Sequence, residues 1–373
     1  MLKRGIPIGR LFGIPIGLHW SWFIIFALVT WALTAGYFPV IYPHWSLGTS
    51  VGAGLLTSLL FFGSVLAHEL MHSIVAKSSG LTVRSITLFI FGGVSQFAEE
   101  PRKARDELRI ALAGPLTSLA LGVVFWAIWF WSSGFSDFIT GVSYWLGLIN
   151  VFLAAFNLIP GFPLDGGRVL RSILWGRSGN LRNATRTASN IGRGFGYLFI
   201  FGGIGLIFWG YWFNGLWLAF IGWFLQSSAV SSYRQLAIQD MLKGHTVGEA
   251  MTRDCEVVRP ELTVDRLVQD HILRSGRRCF PVVGDDRVLG LVTVHSTKAV
   301  PRESWTTRRV EEIMMPFDKM QWVRPDHDLY EALRLLTEED INQLPVVEKG
   351  SVVGIIARDN ILSFIGIRTE LGV

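Results

Sequence analysis

The chain has 373 residues and a formal net charge of +5, so its length allows two domains while its charge is only modestly basic. Half of its residues are apolar, 17% are charged, and there are 15 Trp and 26 Phe. This balance, with a mean hydropathy of +0.40, excludes a wholly soluble protein and indicates a membrane protein. Many Lys and Arg residues flank the apolar segments, so we interpret the positive charge as a topology signal and exclude nucleic acid as a partner.

The composition differs between two parts of the chain. Residues 1–235 hold the long apolar stretches, whereas residues 236–373 have the composition of an ordinary soluble α/β protein. We therefore predict a membrane domain at 1–235 and a separate soluble domain at 236–373.

A short repeat opens the membrane domain. The run Gly-Ile-Pro-Ile-Gly occurs at residues 5–9 and again at residues 13–17. Two extended pieces around a turn fit this repeat, so we predict a strand pair. Because proline has no N–H to give to a sheet, Pro7 and Pro15 predict that both strands lie at sheet edges. An irregular basic leader is the alternative.

Six apolar stretches are predicted to be transmembrane helices. They cover about residues 18–38, 50–77, 108–131, 144–158, 194–213 and 216–231. On the third, Gly114 and Ser118 are small residues four apart, which favours close approach of another helix. The last two are predicted to form a helical hairpin that turns at Asn214-Gly215.

The stretch Leu81–Phe97, between the second and third predicted helices, is too short to cross a bilayer as a helix. It is rich in β-branched and aromatic residues and is interrupted by Gly92-Gly93. This pattern predicts a strand pair that turns at the glycines and lies against or within the membrane. The predicted fold is therefore a polytopic α-helical membrane protein with six transmembrane helices, a small membrane-associated β-sheet and a cytoplasmic α/β domain.

Lys and Arg residues are distributed unevenly among the predicted loops. They precede the first helix, lie between the second and third and between the fourth and fifth, and follow the sixth. The opposite loops, residues 39–49, 132–143 and 214–215, contain none. By the positive-inside rule both termini are cytoplasmic, and we predict a multi-pass protein of the plasma membrane.

The second predicted helix carries His68, Glu69 and His72 in the spacing His-Glu-x-x-His. Residues four apart on a helix project from nearly the same face, so both imidazoles can hold one Zn²⁺. Glu69 can reach an activated water as general base. Ionisable groups inside a membrane are costly, which marks them as functional candidates. A packed histidine pair without a metal is the alternative.

The fourth predicted helix breaks in the run Asn157–Gly167. Pro160 and Pro163 cannot continue a helix, and a helical pattern resumes at Arg168. Broken backbone at membrane depth is tolerated only where it is buried in protein or lines a wet cavity. The break therefore predicts a site whose polar members are Asn157 and Asp165. Capping of the following helix is the alternative role for Asp165.

The soluble domain contains an internal tandem. Phe280-Pro-Val-Val283 recurs as Leu344-Pro-Val-Val347, and two further runs recur with it, at offsets of 63–65 residues. Each unit fits a short extended piece, a helix, a strand, a turn, a strand and a helix. A unit of this size is expected to pair with its copy and bury a shared core.

Together these motifs resemble the site-2 protease family of intramembrane zinc metalloproteases, peptidase family M50. The resemblance rests on His68-Glu69-x-x-His72, on Gly114-x-x-x-Ser118, and on the run from Asn157 to Asp165-Gly. It implies that His68, His72 and Asp165 hold one Zn²⁺ per chain. It also implies that Glu69 is the general base and that Asn157 orients the substrate or supports the oxyanion.

The resemblance implies a substrate as well. It would be a single-span membrane protein in the lipid bilayer, cut within or near its span after an earlier cut has removed its outer domain. A helical substrate hides its amides, so it must unwind, and the Leu81–Phe97 hairpin could offer a sheet edge to it. The main alternative is a transporter or channel with a regulatory domain, since transporters also contain broken helices. That alternative does not explain Glu69 between two helical histidines.

The tandem resembles a pair of cystathionine-β-synthase (CBS) domains, at about residues 244–300 and 307–366. Such a pair implies regulation by an adenine nucleotide and a homodimer formed through these domains. The family run Gly-x-x-[Thr/Ser]-x-x-Asp is incomplete here, because both copies lack its final Asp. Thr293, Arg358 and Asp359 remain the candidate nucleotide contacts. A purely structural or dimerising role is the alternative.

Overall fold

The computed structural model describes residues 6–371 except positions 254, 286 and 340. The chain divides into two compact units, Met1–Arg234 and Gln235–Val373. In its described part, the first unit contains these helices: α1 (Ser21–Ile41, π-helical at Ala32–Tyr37), α2 (Leu47–Ser78), α3 (Ala104–Ser132), α4 (Asp137–Asn157), α5 (Asp165–Ser178), α6 (Leu181–Phe208) and most of α7 (Trp212–Leu242), whose end from Gln235 belongs to the second unit. Five described helices, α1–α4 and α6, are long and apolar enough to cross a membrane.

The turn of the last helical hairpin differs from the prediction. Helix α6 ends at Phe208 and α7 begins at Trp212, so the chain turns before Asn214-Gly215, at Gly210 with φ +88°. Gly215 instead lies against Gly203 of α6, where an added Cβ would come within 3.0 Å of backbone atoms. The glycine therefore permits close helix packing, and the predicted turn at Asn214-Gly215 was wrong.

Helices α4 and α6 begin well before their predicted apolar stretches. Helix α4 starts at Asp137 because the Ser136 side chain accepts a hydrogen bond from the Ile139 N–H. Helix α6 starts at Leu181 because Asn180 caps it in the same way. The first turns of α6 are polar, yet they are helical because one face, which includes the fully buried Ala188, packs inside the protein while the opposite face is exposed.

The sheet of the first unit has four strands in the order β1 (Ile6–Leu11), β2 (Ile14–Leu18), β3 (Val83–Phe89) and β4 (Gly92–Phe97). The predicted strand pairs β1–β2 and β3–β4 are confirmed, although Gly5 of the repeat lies outside the described residues. The expected edge position of Pro15 is wrong, since β2 lies between β1 and β3. Its missing N–H is harmless because the β2–β3 pairing begins only at Ile16.

The turn between β3 and β4 also lies elsewhere than predicted. Phe89 pairs with Gly92, so the turn residues are Ile90 and Phe91 rather than Gly92-Gly93. Gly93 lies within β4 and faces Glu69.

The second unit consists of two similar halves. Its strands are β5 (Cys279–Gly284), β6 (Arg287–Thr293), β7 (Met315–Pro316), β8 (Gln343–Glu348) and β9 (Ser351–Ala357). Its helical segments are Val247–Ala250, Val264–Arg266, Leu267–Ile272, Leu273–Ser275, Val294–Lys298, Arg302–Ser304, Val310–Ile313, Phe317–Lys319, Leu329–Glu338 and Arg358–Leu371. Thr252 of the first half forms a β-bridge with Ile355 of the second, and Val247 of the first half packs in the core of the second half. The halves therefore share buried surface, as predicted.

Candidate metal centre

Helix α2 places the two histidines of the His-Glu-x-x-His motif side by side. It begins after Ser46, whose side chain accepts a hydrogen bond from the Thr49 N–H, and it runs unbroken for 32 residues. The rings of His68 and His72 are 4.8 Å apart between centroids, and both side chains are buried.

Asp165 joins this pair from the far side of the helix break. It is the first residue of α5, and Leu164, at the capping position, makes no side-chain cap. The Asp165 Oδ2 lies 3.1 Å from the Nε2 atom of His68 and 3.1 Å from that of His72. The structure thus directs this carboxylate at the histidines and does not favour the capping alternative.

The three donor atoms fit a tetrahedral cation. The two Nε2 atoms are 3.2 Å apart, and zinc bonds of about 2.0–2.1 Å would place tetrahedral ligands roughly 3.3 Å apart. His72 Nδ1 lies 2.6 Å from the Ile110 carbonyl, which can only accept, so Nδ1 carries the proton and Nε2 of the neutral ring a lone pair. That lone pair and a carboxylate oxygen converge on one point, an arrangement that a cation stabilises.

One face of α3 supports both histidines. Ser118 lies with its Oγ 2.9 Å from His68 Nδ1, and the Ile110 carbonyl holds His72, so each ring is fixed by its second nitrogen. Gly114 lies between them, and a Cβ there would come nearer than 3.0 Å to both Nε2 atoms. Of the two small residues predicted to allow helix approach, Gly114 therefore makes room for the imidazoles and Ser118 hydrogen-bonds His68.

A buried ion pair, which the sequence did not indicate, fixes α5 to α3. Arg171 donates from Nε to Glu107 Oε1 at 2.7 Å and also from Nη2, and both side chains are buried. The Arg171 guanidinium also lies over the Phe162 ring, 5.1 Å from its centroid. Glu107 occurs in the charged run 99–109, which resembles solvated surface, so only the tertiary contact with Arg171 identifies the pair.

The other two candidate catalytic residues lie outside the three-ligand group. Glu69 contacts strand β4, where the Ser95 hydroxyl donates to its Oε2 at 2.8 Å. Asn157 ends α4, and its amide donates to the Leu153 carbonyl at 3.0 Å. In the described residues, the structure does not bring the Asn157 amide into hydrogen-bond contact with the ligands.

The candidate nucleotide contacts lie at the corresponding strand-to-helix junctions of the two halves. Thr293 ends β6 and caps the next helix by accepting from the Ser296 N–H. Arg358 follows β9 and donates to the Leu336 carbonyl, while Asp359 is exposed in the first turn of the same helix. Asn360 stands where the CBS run has Asp, and its Oδ1 accepts from the Ala357 N–H. Ser296 and Asn360, which replace the final Asp of the two runs, thus each accept a hydrogen bond from the backbone N–H three residues earlier, at the start of a helix.

The sequence is similar to known proteins over nearly the whole chain. The model of peptidase family M50 matches residues 56–140 and 135–202, and the CBS domain model matches residues 247–296 and 310–367. A Synechocystis protein that bears the name of a zinc metalloprotease is 36% identical over 372 residues, covering 97% of this chain and 95% of that protein. Rip3 of Mycobacterium tuberculosis, named likewise, is 33% identical over 376 residues and covers 98% and 94%.

An archaeal relative also matches this chain over nearly its whole length, and a solved structure matches part of it. A zinc metalloprotease of Methanocaldococcus jannaschii is 31% identical over 375 residues, covering 99% of each chain. The solved site-2 protease of that organism has 32% identity and a TM-score of 0.44, covering 61% of this chain and 95% of its own. The transporter alternative is not favoured, because the full-length relatives carry the names of metalloproteases. The chain belongs to peptidase family M50, the zinc metalloproteases, and carries a pair of CBS domains.

Proposed function

We propose that His68, His72 and Asp165 hold one zinc ion per chain in an intramembrane endopeptidase. The observation that carries this proposal is the convergence of three donor atoms from α2 and α5, 93 and 97 residues apart in the chain, with Glu69 directly following the ligand His68. Helix α2 is also one of the helices able to cross a membrane, so peptide bonds within or near a membrane span are the expected targets.

The residues around the ligands divide the chemistry of hydrolysis among them. Lewis-acid activation of a water molecule and of the scissile carbonyl is what zinc supplies when bound. Glu69 takes a proton from that water as its oxygen attacks the carbonyl carbon, and then passes the proton to the leaving amine as the C–N bond breaks. Asn157 offers a neutral donor where negative charge develops on the carbonyl oxygen.

The proposed substrate is a single-span membrane protein that unwinds beside β4. That strand is the last of its sheet, and no described strand pairs with its outer edge. An extended segment paired there would lie next to Glu69, which supports substrate binding by strand addition. The earlier cut in the outer domain is supported by the family resemblance alone.

We further propose six spans, with α7 as the sixth, and both termini on the cytoplasmic side of the plasma membrane. The uneven distribution of Lys and Arg supports this topology. The membrane domain is assigned to residues 1–235 and the regulatory domain to residues 236–373.

The CBS pair is proposed as a regulatory module that binds an adenine nucleotide and forms a homodimer. The match of both halves to the CBS model supports this proposal. Titration of purified full-length protein with AMP and ATP, followed by calorimetry, tests it, and absence of binding heat for both nucleotides would contradict it.

The function is tested by Glu69→Gln assayed on a purified single-span substrate in proteoliposomes. We expect zinc content to be unchanged and cleavage to fall about 10²–10⁴-fold, the usual contribution of a general base. Asp165→Asn is the companion variant and is expected to lose zinc as well as activity. Undiminished cleavage by Glu69→Gln would overturn the proposed mechanism.

A further inference from the structure

The inner face of β4 is shaped to Glu69. Gly93 and Ser95 are two apart on the strand, so both face the same side of the sheet. A Cβ on Gly93 would come nearer than 3.0 Å to Glu69 Cγ, and the Ser95 hydroxyl donates to Glu69 Oε2 at 2.8 Å. The strand thus leaves space for the Glu69 side chain at Gly93 and hydrogen-bonds its carboxylate through Ser95.

A second hydroxyl fixes the direction of this hydrogen bond. Ser73 is fully buried one turn after Glu69 on α2, and its Oγ donates to Ser95 Oγ at 3.1 Å. A hydroxyl has a single proton to give, so Ser95, accepting from Ser73, directs its own proton towards Glu69. The carboxylate oxygen is the nearer acceptor, since the Glu69 carbonyl is 3.2 Å away.

We propose that Ser95 is a positioning residue for the general base, an inference that rests on the proposed function. By holding Oε2, Ser95 keeps the Glu69 carboxylate in one orientation and leaves Oε1 to take the proton from the attacking water. A hydrogen bond to a charged acceptor is among the stronger ones available for this purpose. Because the outer edge of β4 is also the proposed substrate edge, binding and base placement share one strand.

The experiment compares Ser95→Val with Ser95→Thr in full-length protein, using the single-span substrate in proteoliposomes. The two side chains have similar shape and both suit a strand, but only threonine keeps the hydroxyl. We expect Ser95→Val to lower kcat about 10–100-fold, the order expected for a misplaced catalytic group, with KM and zinc content unchanged. Ser95→Thr is expected to stay within about threefold of the parent chain, the smaller change of a retained hydroxyl.

Ser95→Ala and Glu69→Gln are measured alongside. Ser95→Ala avoids added bulk and is expected to match Ser95→Val if the hydroxyl matters. Equal kcat for the valine, alanine and threonine variants, or a loss of zinc in the valine and alanine variants, would overturn the role of Ser95. If Glu69→Gln is inactive in that case, only the Ser95 inference fails, whereas an active Glu69→Gln removes the proposed function itself.

Discussion

Single residues decide whether the three donor atoms can meet. His68 and His72 each use Nδ1 for a fixed partner on α3, so their Nε2 atoms face Asp165. Such partners orient a histidine ligand and select its tautomer, and their loss typically costs 10–100-fold in metal affinity. Gly114 has no side chain, and this absence leaves the space that the two imidazole rings occupy.

Gly114→Ala is expected to abolish zinc binding. The added Cβ would lie within 3.0 Å of both Nε2 atoms, so either the imidazoles or helix α3 must move. Zinc per purified chain, measured by mass spectrometry of the metal, is expected to fall from one to near zero. Gly63→Ala on α2 is the control, since nothing lies within 4 Å of a Cβ there. Full zinc occupancy in Gly114→Ala would contradict the close packing described.

Elements are held at the site by charge as well as by packing. Helix α5 carries Asp165 at its first residue and Arg171 two turns later, and Arg171 pairs with Glu107 near the start of α3. Because α3 also holds both histidines, the ion pair connects the third ligand to the helix that orients the other two. A buried pair is costly to break from one side, since the remaining charge is left without a partner.

Arg171→Met is expected to lower the free energy of unfolding by about 3–5 kcal/mol, because Glu107 is fully buried and loses its main donor. Unfolding of the protein in detergent micelles provides the measurement. The double variant Glu107→Met with Arg171→Met is the matched control and should recover most of the loss, since it removes both charges of the pair and Arg168, 3.8 Å from Glu107, keeps partial access to solvent. A single variant as stable as the parent would show that the pair contributes nothing.

At the scale of the whole molecule, the number of spans decides on which side the CBS pair lies. Five described helices meet the length and apolarity of a span, and α7 decides whether there is a sixth. An even number returns the chain to the side of its N-terminus. The two cysteines, Cys255 and Cys279, both lie in the second unit and can report that side.

Cys255 is expected to react with a membrane-impermeant maleimide only after cells are permeabilised. Burial raises the pKa of the Cys279 thiol to about 12, so at pH 7–8 it stays protonated and unreactive, and Cys255 is the reporter. Gly134→Cys, in the loop predicted to lie outside, should react in intact cells and serves as the control. Labelling of Cys255 in intact cells, lost in Cys255→Ser, would exclude six spans with a cytoplasmic N-terminus.

The sequence by itself determined the features that are recorded locally. Helix spacing placed His68 and His72 on one face, apolar runs marked the long helices, and the recurrence of Phe280-Pro-Val-Val283 marked the tandem. The helix break marked Asp165 as a site residue, and the family resemblance added its role as the third ligand. The histidine spacing and the apolar runs depend on neighbours within one element, and the tandem needs only a comparison of two segments of the same sequence, which is why the sequence alone reveals them.

Only the tertiary structure decided the contacts between distant elements. The Ile110 carbonyl, the Glu107–Arg171 pair and the Ser95 hydroxyl reach their partners across 38, 64 and 26 residues of chain. The glycines show most clearly what the sequence alone cannot decide. Gly93 and Gly215 were interpreted as turn residues and instead allow close packing. Both uses require the same missing side chain, and which of them applies depends on the element that packs against it.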